Sequence, residues 1–159
     1  MSNSKLAEWS AAVALCRAVL RASGAGLPQF TLVSRSPHRR QGSHVGILNR
    51  GSGEIRVNLS ACHGEPPGEH SVTAVTAHEA THHWHLSLGE AGWRALTTRF
   101  REVLTLEAPV SAYGGTSPVE AIAEAGRVMI LEPERLRRES PLQYAALAAA
   151  GLRSPGDDT

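Results

Sequence analysis

Cysteine, lysine, long apolar runs and an excess of charge of either sign are all scarce in this chain of 159 residues, and each scarcity closes off a class of protein. The two cysteines, Cys16 in a predicted helix and Cys62 in a predicted loop, make no disulfide framework. Cys62-His63 offers two donor atoms, but no second Cys-His pair answers it, so it is read as no metal site. No run reaches the roughly 18 apolar residues that a membrane span needs. Glu8, Arg17 and Arg21 interrupt the N-terminal apolar stretch, and no clean hydrophobic core ends at a small-residue cleavage site. A cytoplasmic protein is expected, or one exported by a route without a signal peptide. Basic and acidic residues number 16 and 15, a formal net charge of +1, so no global field favours nucleic acid or anionic lipid. Lys5 is the only lysine, which reflects coding bias more than function. The small cluster Arg35, His38, Arg39 and Arg40 reads as a solvated loop. Neither nucleic acid nor membrane is expected as a partner. Length and composition fit one domain with a single core, expected over residues 1–153, with residues 154–159 a disordered tail.

What the chain does contain is His78-Glu79-Ala80-Thr81-His82. With 8 His and 13 Glu among 159 residues, a chance HExxH is expected about 0.03 times. On a helix, residues four apart lie one above the other, so His78 and His82 can point at one ion while Glu79 sits beside it. Neutral imidazole is a good zinc ligand, and a neighbouring carboxylate can take a proton from a bound water whose pKa the ion has lowered. That set of groups suits metal-assisted hydrolysis. His85 lies near the same face, one turn beyond His82, and is a weaker candidate ligand; His83 points away, toward solvent.

Hydrolytic zinc takes three protein ligands and keeps a fourth position for water, so a partner is required elsewhere. Ser117-Pro118 reads as an N-cap and first helical residue, which puts Glu120 in the first turn and Glu124 one turn further on the same face. Ser117-x-x-Glu120 is also a capping box, in which Glu120 would bond back to the Ser117 amide and bind no metal. The pattern alone leaves both readings open.

The segment from Tyr113 to Met129, taken with residues 78–82, resembles the metal-binding segments of the anthrax lethal factor-type metallopeptidases. In that family a Tyr-Gly turn precedes a helix carrying the zinc-ligand glutamate, with Ala-Glu-Ala following. The family tyrosine falls on Tyr113, its ligand glutamate on Glu120 and its following acidic residue on Glu124. Ala121 and Ile122 depart from the pattern, since relatives carry bulkier aromatics there, a difference that concerns specificity. The chain is also similar to the small regulatory metallopeptidases of phage and stress-response operons, which act on repressors, through His78–His82, Glu120-Ala121 and Leu131-Glu132-Pro133. The resemblance implies an α+β, zincin-like fold, a small antiparallel or mixed sheet packed on several helices, with the HExxH motif on the central active-site helix. It implies Zn2+ held by His78, His82 and Glu120, with Glu79 as general base in the hydrolysis of a peptide or protein substrate. Tyr113 would then donate to the oxyanion, and Glu124 would accept a hydrogen bond from a ligand imidazole and fix its tautomer. A catalytically silent, metal-stabilised binding module is the alternative from another class, and the intact Glu79 argues against it.

The scaffold reads as follows. Leu6, Trp9, Val13, Cys16 and Leu20 recur at helical spacing and predict an amphipathic helix over 5–22, ended by Gly24, Gly26 and Pro28. Phe30 to Ser34 reads as a strand. His44–Asn49 and the alternating run Ile55, Val57, Leu59 read as a hairpin across Gly51-Ser52-Gly53. An extended peptide can add to the edge of such a sheet, and whether Glu54–Leu59 is that edge is left open by the sequence. Ser71 caps a helix over 72–88 closed by Gly89, with Val72, Val75, His78, His82 and Leu86 on its inner face. Trp93, Leu96, Phe100, Val103 and Leu104 predict another amphipathic helix, and Ser140-Pro141 starts a last one running to Ala150.

Overall fold

The computed structural model describes residues 3–33, 45–64, 66 and 68–156. Among them the chain is α+β. It runs α1 (Asn3–Ala22), β1 (Phe30–Val33), β2 (Gly46–Asn49), β3 (Glu54–Asn58), α2 (Val72–Ser87), α3 (Gly89–Val103), a 3-10 turn (Gly114–Thr116), α4 (Pro118–Leu131), α5 (Pro133–Glu139) and α6 (Pro141–Ala149). No helix among the described residues is long and apolar enough to cross a membrane. The basic cluster Arg35–Arg40, Ser34, His44 and residues 157–159 of the predicted tail lie outside the described residues. Ser154, placed in that tail, is buried, and the Arg153 amide donates to Ser23 Oγ at 3.0 Å.

The sheet is small and mixed, in the order β1-β3-β2. β3 pairs parallel with β1 (Phe30 beside Ile55) and antiparallel with β2 (Gly46 beside Val57, Asn49 beside Glu54). The predicted hairpin is therefore present, and β3 is the central strand rather than an edge; among the described residues the edges are β1 and β2, and β2 is the one beside α2 and Glu79. The Ile55, Val57, Leu59 face is buried as expected. The alternation fails at Asn58, which is also buried because its Oδ1 turns back to accept from the Ser60 amide at 3.1 Å.

α2 is held at both ends by local chemistry. Ser71 Oγ accepts from Ala74 N at 3.1 Å, a cap that contributes about 1 kcal/mol. Glu8 of α1 brings a carboxylate to the same end and accepts from both the Thr73 amide and its hydroxyl at 3.0 Å, where the helix dipole favours negative charge. At the other end Gly89 adopts φ +71, the left-handed conformation in which a helix commonly stops. The expectation of a single inner face is corrected. From Ala74 to Thr81 every residue of α2 is buried, because α1, α4 and the sheet cover it on different sides, while Leu86 is 36 % exposed and faces a cleft.

α4 is buried without interruption from Ala121 to Ile130 and is the centre of the helical layer. Its capping residue Ser117 accepts from Glu120 N at 3.2 Å, with Pro118 at the first helical position, whose missing amide costs nothing there. α5, absent from the predicted scaffold, is a two-turn segment tied by Arg135 to Glu132 and Glu139. One cluster of buried apolar side chains, including Leu20, Ile55, Trp84, Phe100, Ile122, Met129 and Leu147, joins both layers.

Candidate metal centre

α2 and α4 cross so that three donor atoms meet. His78 Nε2 and His82 Nε2 stand 3.0 Å apart, and Glu120 Oε2 lies 3.3 Å from each. His78, His82 and Glu120 thus form a group that could hold a metal ion. The carboxylate half of the predicted capping box is not what Glu120 uses: its amide bonds to Ser117, but its side chain turns to the histidines. Donors at about 2.0–2.1 Å around a tetrahedral zinc lie about 3.3 Å from one another, so the observed spacings match the edges of such a tetrahedron.

The protonation pattern fits the same reading. His78 Nδ1 is 2.7 Å from Glu124 Oε1, and an acceptor there keeps a hydrogen on Nδ1, so that loss of the other proton, as on metal binding, exposes the Nε2 lone pair toward Glu120 and His82. Burial pulls the His78 imidazolium down, but hydrogen bonds to Glu120 and Glu124 and the charge of Glu79 outweigh it, and its pKa is pushed up to about 9. Glu120, hydrogen-bonded by His78 and His82, is held well below the usual carboxylate range despite its partial burial. Three electron-pair donors gathered at this spacing call for a cation, whether proton or metal.

Glu124 is buried, which opposes its ionisation, yet His78 and Arg127 hold its pKa at about 2. Arg127, 3 % exposed, grips it with Nε at 3.3 Å and one terminal nitrogen at 3.0 Å. Ser111 hydrogen-bonds the same carboxylate and accepts from the Gly114 amide at 3.0 Å, which ties the Tyr113 turn to Glu124. Sequence reasoning assigned no role to Arg127 or Ser111. The signal for Arg127 was available: it is the second ionisable group in an apolar helical run, three residues beyond Glu124, where side chains meet. Ser111 carried none.

Glu79 is buried, and burial raises its pKa above that of an ordinary carboxyl, with the charges of His78 and His82 and a hydrogen bond from the Leu48 backbone pulling the other way. Edge strand β2 comes this close because of Gly46, where a Cβ would stand 2.8 Å from Glu79 Cγ and Oε1 and 2.6 Å from Val75 Cγ1. Tyr113 sits 53 % exposed at the mouth, its ring centroid 5.8 Å from that of His78. Partial burial and the charge of Glu120 keep its phenol protonated, with a pKa above the usual value.

His85 is not among the converging donors. Its buried ring stacks on Trp93 at 5.5 Å and Nε2 lies 3.2 Å from the Trp93 carbonyl; burial lowers its pKa to about 4, so it is neutral. His83 is half-buried rather than simply solvated, with Nε2 2.8 Å from the Gly26 carbonyl, which links α2 to the turn after α1. Cys62 takes no part, its thiol pushed up to about 11 by burial, and His63 stacks on His70.

The centre lies in an open cleft of two lobes that share Gly46, His78, Glu79 and Tyr113. One lobe, about 270 Å³, continues past Val75 and Glu124 to Glu69 and His70. The other, about 280 Å³, continues past His82 and Glu120 to Arg50, Leu86, Trp93 and Val119. No protein-family model, no curated protein and no solved structure matches this chain in comparisons with known proteins.

Proposed function

We propose that this chain is a zinc-dependent metallopeptidase of the glutamate-zincin type, similar in its site to the lethal factor-type enzymes. The observation that carries the reading is the meeting of His78 Nε2, His82 Nε2 and Glu120 Oε2 at 3.0–3.3 Å with the Glu79 carboxylate in the same cleft. Two imidazoles and one carboxylate are a hydrolytic zinc set, and three donors leave a position open where a structural site would be closed by a fourth ligand. When bound, the ion supplies positive charge that polarises a carbonyl and acidifies water.

The chain's own residues do the rest. Glu79 takes one proton from the attacking water as its oxygen bonds to the scissile carbonyl carbon. It then delivers that proton to the amide nitrogen as the carbon–nitrogen bond breaks. A carboxyl with a raised pKa suits both directions of transfer. Tyr113 Oη, protonated at the cleft mouth, donates to the oxygen that gains charge. Glu124 keeps the His78 ring in the tautomer that offers Nε2. The edge of β2 beside Glu79 gives an extended peptide main-chain groups to pair with.

The test pairs metal analysis with turnover. Purified protein is expected to hold one zinc per chain and to cleave a peptide library, and Glu79→Gln to keep the zinc while losing about 10²–10⁴ of the rate. Turnover by Glu79→Gln equal to that of the parent, or no retained metal, overturns the reading.

A further inference from the structure

The two lobes of the cleft differ in charge. The lobe beyond Val75 carries the exposed carboxylate of Glu69, while Glu124 beside it is already paired with Arg127 and His78. The lobe beyond His82 carries Arg50, which follows β2 directly, is exposed, and has no carboxylate partner among the described residues. Its carboxylates are those of the centre itself, Glu79 and Glu120, beside His78 and His82; away from the centre the lining is apolar or neutral, with Trp93 stacked on the buried His85 at an interplanar angle of 15°, Leu86 and Val119. Leu48, also in its lining, belongs to edge strand β2.

A guanidinium has five donors and no acceptor, so the complement of this lobe is an anion on a short apolar stem. Resting on the peptidase reading, we propose that this lobe is the specificity pocket and takes a carboxylate-bearing residue of an extended peptide, with its methylenes against Leu86, Val119 and Trp93 and its carboxylate on Arg50. The carboxylate has two possible sources, an acidic side chain or the C-terminus of the peptide. Because Arg50 is at an exposed rim, the ion pair supplies a modest share of the affinity, enough to set the choice between an acid and its amide, while the apolar contacts hold the residue in place. Glu69, across the centre, disfavours a second acidic residue on the other side of the scissile bond.

Two decapeptide libraries, one with free and one with amidated C-termini, provide the test with zinc-loaded parent protein and Arg50→Glu, a surface change that leaves the fold intact. The parent is expected to enrich Asp and Glu at one position fixed relative to the cut, and Arg50→Glu to shift that position toward Lys and Arg by about tenfold or more, the equivalent of about 1.4 kcal/mol. Enrichment in both libraries assigns the side chain as the source; enrichment confined to free C-termini assigns the chain end. Cleavage without acidic enrichment in either library, or enrichment unchanged in Arg50→Glu, overturns the proposal. A binding arm is independent of turnover. Fluorescein-labelled pools rich in Glu or in isosteric Gln are titrated by anisotropy against zinc-loaded Glu79→Gln, where the Glu pool is expected to bind tighter and Arg50→Glu to erase the difference. Equal binding of the two pools overturns the pocket. A preference in binding with no cleavage by the parent keeps the pocket and overturns the hydrolase.

Discussion

Gly126 of α4 lies directly against Thr81 of α2, so closely that a Cβ at position 126 would stand 2.6 Å from Thr81 Oγ1 and 3.0 Å from Thr81 Cβ. This is the close approach that sets the candidate metal centre, because Glu120 and Glu124 ride on α4 and both histidines on α2. Gly126→Ala must push the helices apart or force Thr81 off its hydrogen bond to the Ala77 carbonyl. The expected outcome is a loss of about 1–3 kcal/mol in urea unfolding, the usual cost of overpacking. A fall in zinc affinity measured against a chromophoric chelator should accompany it. Adding Thr81→Ala should restore part of both, since the two side chains share one space; an unchanged zinc affinity in folded Gly126→Ala would separate the helix crossing from the site.

Glu120 and Glu124 differ by one helical turn and by what they touch, and the difference is measurable. Glu120→Gln removes a donor from the centre and should abolish zinc retention through dialysis. Glu124→Gln keeps all three donors but weakens the hold on His78 Nδ1, and a loss of about 10–100-fold in zinc affinity is expected. It also leaves the buried Arg127 with an uncompensated charge, so unfolding should shift by about 3–5 kcal/mol, far more than for Glu120, which is partly exposed and pairs with no arginine among the described residues. Equal effects of the two changes on metal would mean that the ligand and its support had been assigned the wrong way round.

If the chain is the metallopeptidase proposed above, Gly46 offers a change that should touch catalysis and spare the metal. A methyl there meets Glu79 at 2.8 Å but none of the donors. Gly46→Ala is expected to displace the carboxylate or lift β2 from α2, with zinc content at one per chain and kcat/KM down by about 100-fold, the scale of losing a positioned general base. Wild-type kcat/KM in this variant would show that Glu79 has more room than the close approach implies.

Periodicity and capping chemistry made much of this chain legible before its structure. The 72–88 helix with its Ser71 cap, the hairpin flanking Gly53 and the start of α4 at Ser117-Pro118 are local signals, and the structure has them, as it has the α+β class that the resemblance implied. The direction of the Glu120 side chain was not legible, because the same four residues encode a capping box and a ligand; only the position of α2 decides, and the Thr81–Gly126 contact sets that position. Gly46 was illegible for a similar reason: a glycine at a strand end has no signal until the helix it must pass is in place. β1 joined the sheet next to the second hairpin strand, a parallel pairing between strands that are not consecutive in the chain, which no local rule specifies. α5 is absent from the predicted scaffold because it is only two turns long and follows α4 at once, with proline at the first position of the new helix.

His85 gives a pH dependence whose sign is fixed by its burial. Its pKa falls from 6.5 to about 4 in the folded chain, desolvation being the main cause. Between those values the unfolded imidazole binds a proton that the native one refuses, so unfolding gains on folding as the medium is acidified. The stability associated with neutral His85 is therefore complete above pH 6.5 and is lost progressively between pH 6.5 and about 4. Urea unfolding in EDTA at pH 7.5 and 4.5 should show the effect as a difference between parent and His85→Gln, which keeps a donor for the Trp93 carbonyl but does not titrate. The variant is expected to lose less stability over that range, by about 1–2 kcal/mol once the shift is discounted for partial solvent screening. Other titrating groups, His78 among them, are present in both proteins and cancel in the comparison. Parallel curves for the two proteins would mean that the imidazole accepts its proton without leaving the stack on Trp93, and that the floor of the cleft is wetter than its burial indicates.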